Sequence, residues 1–208
     1  DSFSTDEVYG EVLHGEVSET AQCKPTNPYA VSKLASEHIV REVLEGSDVR
    51  LIILRPSNNY GPWQVPDNLI PRFITLLAAG HKAPLYGSGH QRRCWVHVDD
   101  TARAVWTLVK RSEASGIFNI GGEELVNRQV VQAILNHLEL DWSMVETVQD
   151  RVVHDRRYAN HESRLRSLGY VRERRFADEI GELVQHYRNG WVDTHGSRPG
   201  TPSVDQCG

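Results

Sequence analysis

An α/β fold with doubly wound, Rossmann-like topology is what this sequence predicts. Helix-like and strand-like segments alternate along its body. The strand-like ones are short continuous apolar runs, as in parallel strands covered on both faces, and the helix-like ones open on capping residues. The first helix follows Thr26-Asn27-Pro28, where a capping side chain precedes a proline suited to the first helical turn. It is predicted from Tyr29 to about Glu45, with Gly46 as its stop and Val31, Leu34, Ala35 and His38 on its inward face. The buried strand after it is the run 49–54, closed by Pro56. A capped amphipathic helix over 99–110, a strand over 116–122 ending on glycines, and helices over 127–138 and 176–187 complete the pattern. Past Trp191 the chain turns to Gly, Pro, Ser and Thr with little to bury, so 192–208 reads as a disordered tail.

The composition narrows the function. Of 208 residues, 39% are hydrophobic and 25% charged, enough for one large domain or one with a small companion. Lys and Arg number 23 against 28 Asp and Glu, a net charge of −5, which disfavours nucleic acid as the main partner. The Arg-rich stretch 151–175 does not change this, because Asp155, Glu162 and Glu173 interrupt it and no RNA-binding motif accompanies it. No apolar run approaches the roughly 20 residues of a membrane span, and DSFSTDEVYG lacks a basic start or apolar signal core. Cys23, Cys94 and Cys207 are odd in number and without CxxC spacing, and the 10 His show no ligand pattern. Neither disulfides nor a metal are expected, and a cytoplasmic location is. Trp63, Trp95, Trp106, Trp142 and Trp191 read as packing.

Two groups of residues could do chemistry. Tyr29 and Lys33 stand four apart on the first helix, so both side chains leave one face about a turn apart. A cation that close can lower a phenol's pKa, which suits Tyr29 to taking a proton from a sugar or alcohol hydroxyl. The plainer alternative is an exposed tyrosine beside a solvated lysine. The second group is Ser4-Thr5-Asp6-Glu7-Val8-Tyr9-Gly10, a hydroxyl and two adjacent carboxylates closed by glycine. At the carboxyl end of a strand it would share the crevice with Tyr29. Paired carboxylates in different environments can divide into a proton donor and a proton acceptor. Here the alternative is an acidic surface turn.

In this order STDEVYG, NPYAVSK, LRPSNNYGP, NLIP, LYGSG and HDRRYA resemble the extended short-chain dehydrogenase/reductase superfamily, and within it the dTDP-glucose 4,6-dehydratases. The resemblance runs from Ser4 to about Trp191. Tyr-x-x-x-Lys belongs to the superfamily broadly, whereas Thr-Asp-Glu is the selective feature that separates dehydratases from epimerases and decarboxylases. It implies NAD as cofactor and a nucleotide-diphosphate sugar as substrate. Tyr29 would take the 4-hydroxyl proton with Thr5 bonded at the same oxygen. Glu7 would then abstract the C5 proton, and Asp6 would protonate the departing C6 hydroxyl. Tyr29, Lys33 and Asn59 would hold the cofactor. Asn58, Asn68, Leu69, Pro84, Leu85, Tyr86, Arg93, Asn127, Asp150, Arg151 and His154 would join Thr5 in binding substrate, the arginines through forked contacts to phosphate.

Departures from the resemblance lie at Arg93-Cys94-Trp95, where Arg-Asp-Trp is common, at Asn68, where Lys is common, and at Val152-Val153, where Pro-Gly is usual. The Gly-rich turn expected about a hundred residues before the Ser-Thr-Asp-Glu segment is not in the sequence, and Gly121-Gly122 does not replace it. The sequence therefore reads as the C-terminal portion of a doubly wound sheet with a smaller α/β substrate-binding region, from a longer enzyme and inactive alone. Residues 1–63 and 92–122 would be the partial NAD-binding domain, and 64–91 and 123–191 the substrate region. A homodimer is the assembly expected of the full-length protein. The alternatives are a decarboxylase or epimerase of the same superfamily, or a non-catalytic binding module.

Overall fold

The computed structural model describes residues 2–149 and 155–189. It opens with β1 (Ser2–Phe3), a 3-10 turn over Asp6–Tyr9, and α1 (Pro28–Leu44). Then come β2 (Ile52–Pro56), β3 (Asn58–Tyr60), α2 (Leu69–Ala78), β4 (Ala83–Tyr86), β5 (Arg92–His97) and α3 (Val98–Val109). β6 (Gly116–Ile120), β7 (Glu123–Val126), α4 (Asn127–Leu138), a 3-10 turn over Trp142–Met144, β8 (Val145–Val148), α5 (Ser163–Arg166) and α6 (Phe176–Arg188) follow.

The strands form three small sheets. β2 lies between β1 and β6, parallel to both, and all five of its residues are buried, as a strand covered on two faces requires. β5 runs parallel to β3 and antiparallel to β7, and β4 pairs in parallel with β8. Gly122 permits the β5–β7 approach, since a Cβ there would stand 2.5 Å from the Trp95 carbonyl. The expected strand over 116–122 therefore ends at Ile120, and the one expected over 49–54 starts at Ile52 and continues through Pro56.

Among the described residues two large apolar cores result, beside a small cluster of Val12, Cys94 and Ala159. One fills the space between β2, β6, α3 and α5 with Ile52, Leu54, Leu108, Phe118, Leu165 and Tyr170. The other joins α2, α4 and α6 to β4. There Ile70, Phe73, Ile74 and Leu77 on α2 meet Val130, Ile134, Ile180 and Leu183 at the spacing of one helical face. Fully buried Asp100 connects the chain around them, accepting the Glu173 and Arg174 amides at 3.0 and 2.9 Å. No helix among the described residues is long and apolar enough to cross a membrane.

The face expected of α1 is not the one it buries. Ala35 and His38 are exposed, Val31 is 51% exposed, and the buried positions are Ala30 and Glu37. The reason is electrostatic: Glu37 receives Arg55 of β2 through two hydrogen bonds of 2.8 and 2.6 Å, with both side chains 3% exposed. Burial works against the Glu37 carboxylate, but the hydrogen bonds and charge of Arg55 outweigh it and hold the carboxyl below its ordinary range.

Candidate active site

Beside the α2–β4 core, at the carboxyl ends of β1 and β2, lies a cavity of about 710 Å³. One wall is assembled from the ends of β1 and β2 and the start of α1. Thr5 caps the 3-10 turn, its Oγ1 accepting the Glu7 amide at 3.3 Å, and Gly10 closes it at φ 74°, where a Cβ would collide with the Lys24 carbonyl. That turn sits at the carboxyl end of β1, which is itself paired to β2, so Thr5, Asp6 and Glu7 all face the cavity. Asn27 starts α1 by accepting the Ala30 amide at 2.8 Å, which brings Tyr29 to the same wall.

Asp6 is 3% exposed, and burial pushes its carboxyl up to about 7. The Ser57 hydroxyl and the Arg93 guanidinium pull it down and the Glu7 charge pushes it further up, without reversing the effect of burial. Glu7 is half-buried, and its Oε2 accepts Asn27 Nδ2 at 2.9 Å. The two adjacent carboxylates thus stand in different surroundings. The Tyr29 phenol is raised by burial and by the Glu7 charge, with the neighbouring Thr5 hydroxyl acting the other way. The lowering expected from Lys33 is absent. Its ammonium lies 5.9 Å from the ring centroid and donates to the Phe3 carbonyl at 3.1 Å, serving the edge of β1. Lys33 is also off the cavity wall.

Asn58 and Asn59 continue this wall. Asn59 is already committed: its Oδ1 accepts Thr101 Oγ1 at 2.5 Å and its Nδ2 donates to the Ser57 carbonyl at 3.1 Å, tying β3 to α3. The opposite wall carries Asn68 and Leu69 at the start of α2, Pro84, Leu85 and Tyr86 of β4, Arg93 of β5, and Asn127. Arg93 is 7% exposed and donates to the Arg92 and Asp155 carbonyls at 2.8 and 2.9 Å. Its guanidinium lies 4.5 Å from the Tyr158 ring centroid, and no described carboxylate pairs with it. Asp150, Arg151 and His154, like the tail 192–208, lie outside the described residues.

Several contributors were not singled out from sequence. Asp155 Oδ2 accepts both Tyr158 Oη, at 2.7 Å, and Thr26 Oγ1, so one carboxylate clamps the approach to α1 against the far wall. Asp155 and Tyr158 belong to HDRRYA and Ser57 to LRPSNNYGP, which were the available signals, whereas Thr26 reads from sequence only as part of a helix start and Trp95 only as packing. Among the described residues, the buried polar atoms on these walls without a hydrogen-bond partner include Asp6 Oδ2, Gln64 Oε1, Trp95 Nε1 and Asn127 Oδ1. Native interiors leave few such atoms. A ligand bearing both donors and acceptors would satisfy them.

The NAD dependent epimerase/dehydratase family matches residues 2–121. A dTDP-glucose 4,6-dehydratase of Streptomyces griseus is 44% identical over 195 residues, covering 90% of this chain and 59% of that protein. The crystal structure of a dTDP-glucose 4,6-dehydratase from Streptomyces venezuelae, with NAD and TYD bound, superimposes with a TM-score of 0.86 at 40% identity, over 90% of this chain and 59% of the other. A UDP-glucose 4-epimerase from Thermus thermophilus in complex with NAD gives a TM-score of 0.82 at 28% identity, over 90% of this chain and 63% of the other. The chain thus spans about three fifths of the relatives it matches, and its α/β architecture is theirs.

Proposed function

Because this chain belongs to the NAD dependent epimerase/dehydratase family, we propose that it carries the reaction centre of a dehydratase converting a nucleoside-diphosphate glucose to its 4-keto-6-deoxy sugar. The observation that carries this reading is Asp6 and Glu7 side by side on the cavity wall with Tyr29, in unlike surroundings. An epimerase needs the phenol and has no use for a second, proton-donating carboxyl at C6. Elimination of water needs both.

Tyr29, whose raised phenol must be ionised in the completed site to act as a base, would take the proton of the 4-hydroxyl, and Thr5, beside the phenol, would hold the same oxygen. The C4 ketone makes the C5 hydrogen acidic, and Glu7 removes it and later returns a solvent-exchangeable proton to C5 when hydride reaches C6. Asp6, raised to about 7 and therefore substantially protonated at neutral pH, delivers its proton to the departing C6 hydroxyl, which leaves as water. NAD supplies, when bound, the acceptor of the C4 hydride and the donor that returns it to C6. Tyr29, Lys33 and Asn59 would hold its nicotinamide end, Lys33 only by exchanging its bond to the Phe3 carbonyl for one to the cofactor. Tyr29 is half exposed at the cavity with the Lys33 ammonium beside its ring, and Asn59 stands on the same wall. On the other side Asn58, Asn68, Leu69, Pro84, Leu85, Tyr86 and Asn127 line the space for the sugar nucleotide. Buried Arg93, also on this lining, would supply a positive charge for the phosphates. Cys23 and Cys94 are free thiols, in keeping with a reducing cytoplasm.

Incorporation of labelled solvent hydrogen at C5 by the full-length protein tests the reading. Glu7→Gln is expected to keep C4 oxidation and lose C5 incorporation, and Tyr29→Phe to lose both. Normal 4-keto-6-deoxy product from either variant would overturn the assignment, and a C4 epimer without loss of water would favour an epimerase.

A further inference from the structure

Asn27 forms two hydrogen bonds that point in different directions. Its Oδ1 accepts the Ala30 amide at 2.8 Å and caps α1, while its Nδ2 donates to Glu7 Oε2 at 2.9 Å. The orientation of the amide follows from its partners, since the oxygen faces an N–H and the nitrogen faces a carboxylate. A capping role alone would be met equally by Ser, Thr or Asp. What only the amide offers is an acceptor and a donor on separate atoms, with the cap and the carboxylate served at once. Asn27 is also two residues from Tyr29, so the bond to Glu7 ties the turn holding one reactive group to the helix holding the other. Among the described residues no other side chain donates a hydrogen bond to the Glu7 carboxylate.

We propose that Asn27 is a positioning residue for Glu7, holding the carboxylate that removes the C5 proton in register with Tyr29. This rests on the dehydratase reading for its catalytic consequence and on the two hydrogen bonds for its geometry. Asn27→Ser keeps a capping oxygen but is too short to serve both partners. Asn27→Asp keeps the cap and sets a second carboxylate against Glu7, where like charge disfavours the ionised base. The other ionisable groups whose charge couples to Glu7 are Asp6 in the same turn, Tyr29 on α1 and Tyr158, and neither substitution alters them.

The test uses the full-length protein with either substitution. Carbon-13 titration of the Glu7 carboxyl without substrate should show it ionising at least one pH unit higher in Asn27→Asp, with a smaller rise in Asn27→Ser. C5 exchange with labelled solvent should fall about 10-fold or more at neutral pH in Asn27→Asp and recover as pH rises, with KM for the sugar nucleotide within twofold. Oxidation at C4, which depends on Tyr29, should stay within threefold, and the melting temperature should hold because the cap is retained. An unmoved Glu7 titration in both variants would overturn the proposal, as would an unchanged exchange profile. If the unsubstituted protein oxidises no sugar nucleotide at C4, the dehydratase reading falls, while the carboxyl titration still decides whether Asn27 holds Glu7.

Discussion

At the scale of single residues, Asp6 makes the most testable commitment. Its carboxyl ordinarily ionises at 3.8 and in the folded chain is pushed up to about 7, so the native state binds a proton that the unfolded state has released. The stabilisation is fully present below pH 3.8 and is lost as pH rises through 7. Its upper bound is about 4 kcal/mol. Asp6→Asn should therefore gain on the unsubstituted protein steadily between pH 4 and 7 in denaturant unfolding. Parallel stability curves for the two would place Asp6 in a wetter setting than the structure shows. Arg93 is equally exposed to test. With its guanidinium held by main-chain carbonyls and the Tyr158 ring rather than by an ion pair with a described carboxylate, and its side chain lining the cavity, Arg93→Ala should weaken sugar-nucleotide binding by roughly 1.5–3 kcal/mol. The same substitution should cost less with a sugar monophosphate, and calorimetric titration with both ligands measures the difference.

Among the elements, α1 carries the largest departure from what its sequence suggests. Helix limits were legible, because Pro28 and the Asn27 cap act through neighbours in the chain, and the helix observed over Pro28–Leu44 differs from expectation by one residue at each end. Its buried face was not legible, because that face is chosen by Arg55, a residue 18 positions away on another element. Glu37→Gln leaves that guanidinium buried with its charge uncompensated and should cost about 3–5 kcal/mol. Replacing both partners by apolar residues should recover most of the loss, and chemical denaturation of the three proteins reads it. β3, β4, β5, β7 and β8 escaped for a related reason: each is short and finds its partner far along the chain. α2 did carry a local signal, the Ile70, Phe73, Ile74, Leu77 stripe, hidden behind interest in Asn68. The site shows the same division. Thr5, Asp6, Glu7 and Tyr29 were readable as motifs, while the roles of Thr26, Ser57 and Trp95 exist only once distant segments meet.

In the whole molecule the cavity is walled by the Thr5-Asp6-Glu7 turn and the start of α1 together with residues of α2, β4 and β5. A ligand spanning it adds bonds between the β1–β2 sheet and the α2–β4 core, two bodies that also meet through β5, where Trp95 packs into one core and Val96 into the other, and through the bonds of Asp100 to the Glu173 and Arg174 amides. Full-length protein at a sugar-nucleotide concentration 100 times Kd should gain about 2.7 kcal/mol of stability. It should also unfold over a narrower temperature range, since the ligand couples the two bodies. Differential scanning calorimetry with and without ligand would show it. A shifted transition of unchanged width would mean that the cores already unfold as one.

The bonds that close the site join residues far apart in order of synthesis. Tyr9 meets Asn119 across 110 positions, and Thr26 meets Asp155 across 129. At about 5–20 residues per second, a ribosome takes on the order of 10 s to supply those partners. During that interval the Thr5-Asp6-Glu7 turn has left the exit tunnel with its later partners unmade, and β2 waits for β6 with its apolar faces uncovered. The candidate site thus takes shape only after segments more than a hundred positions apart have been translated, and a pause in synthesis between residues 56 and 120 prolongs the exposure of β2.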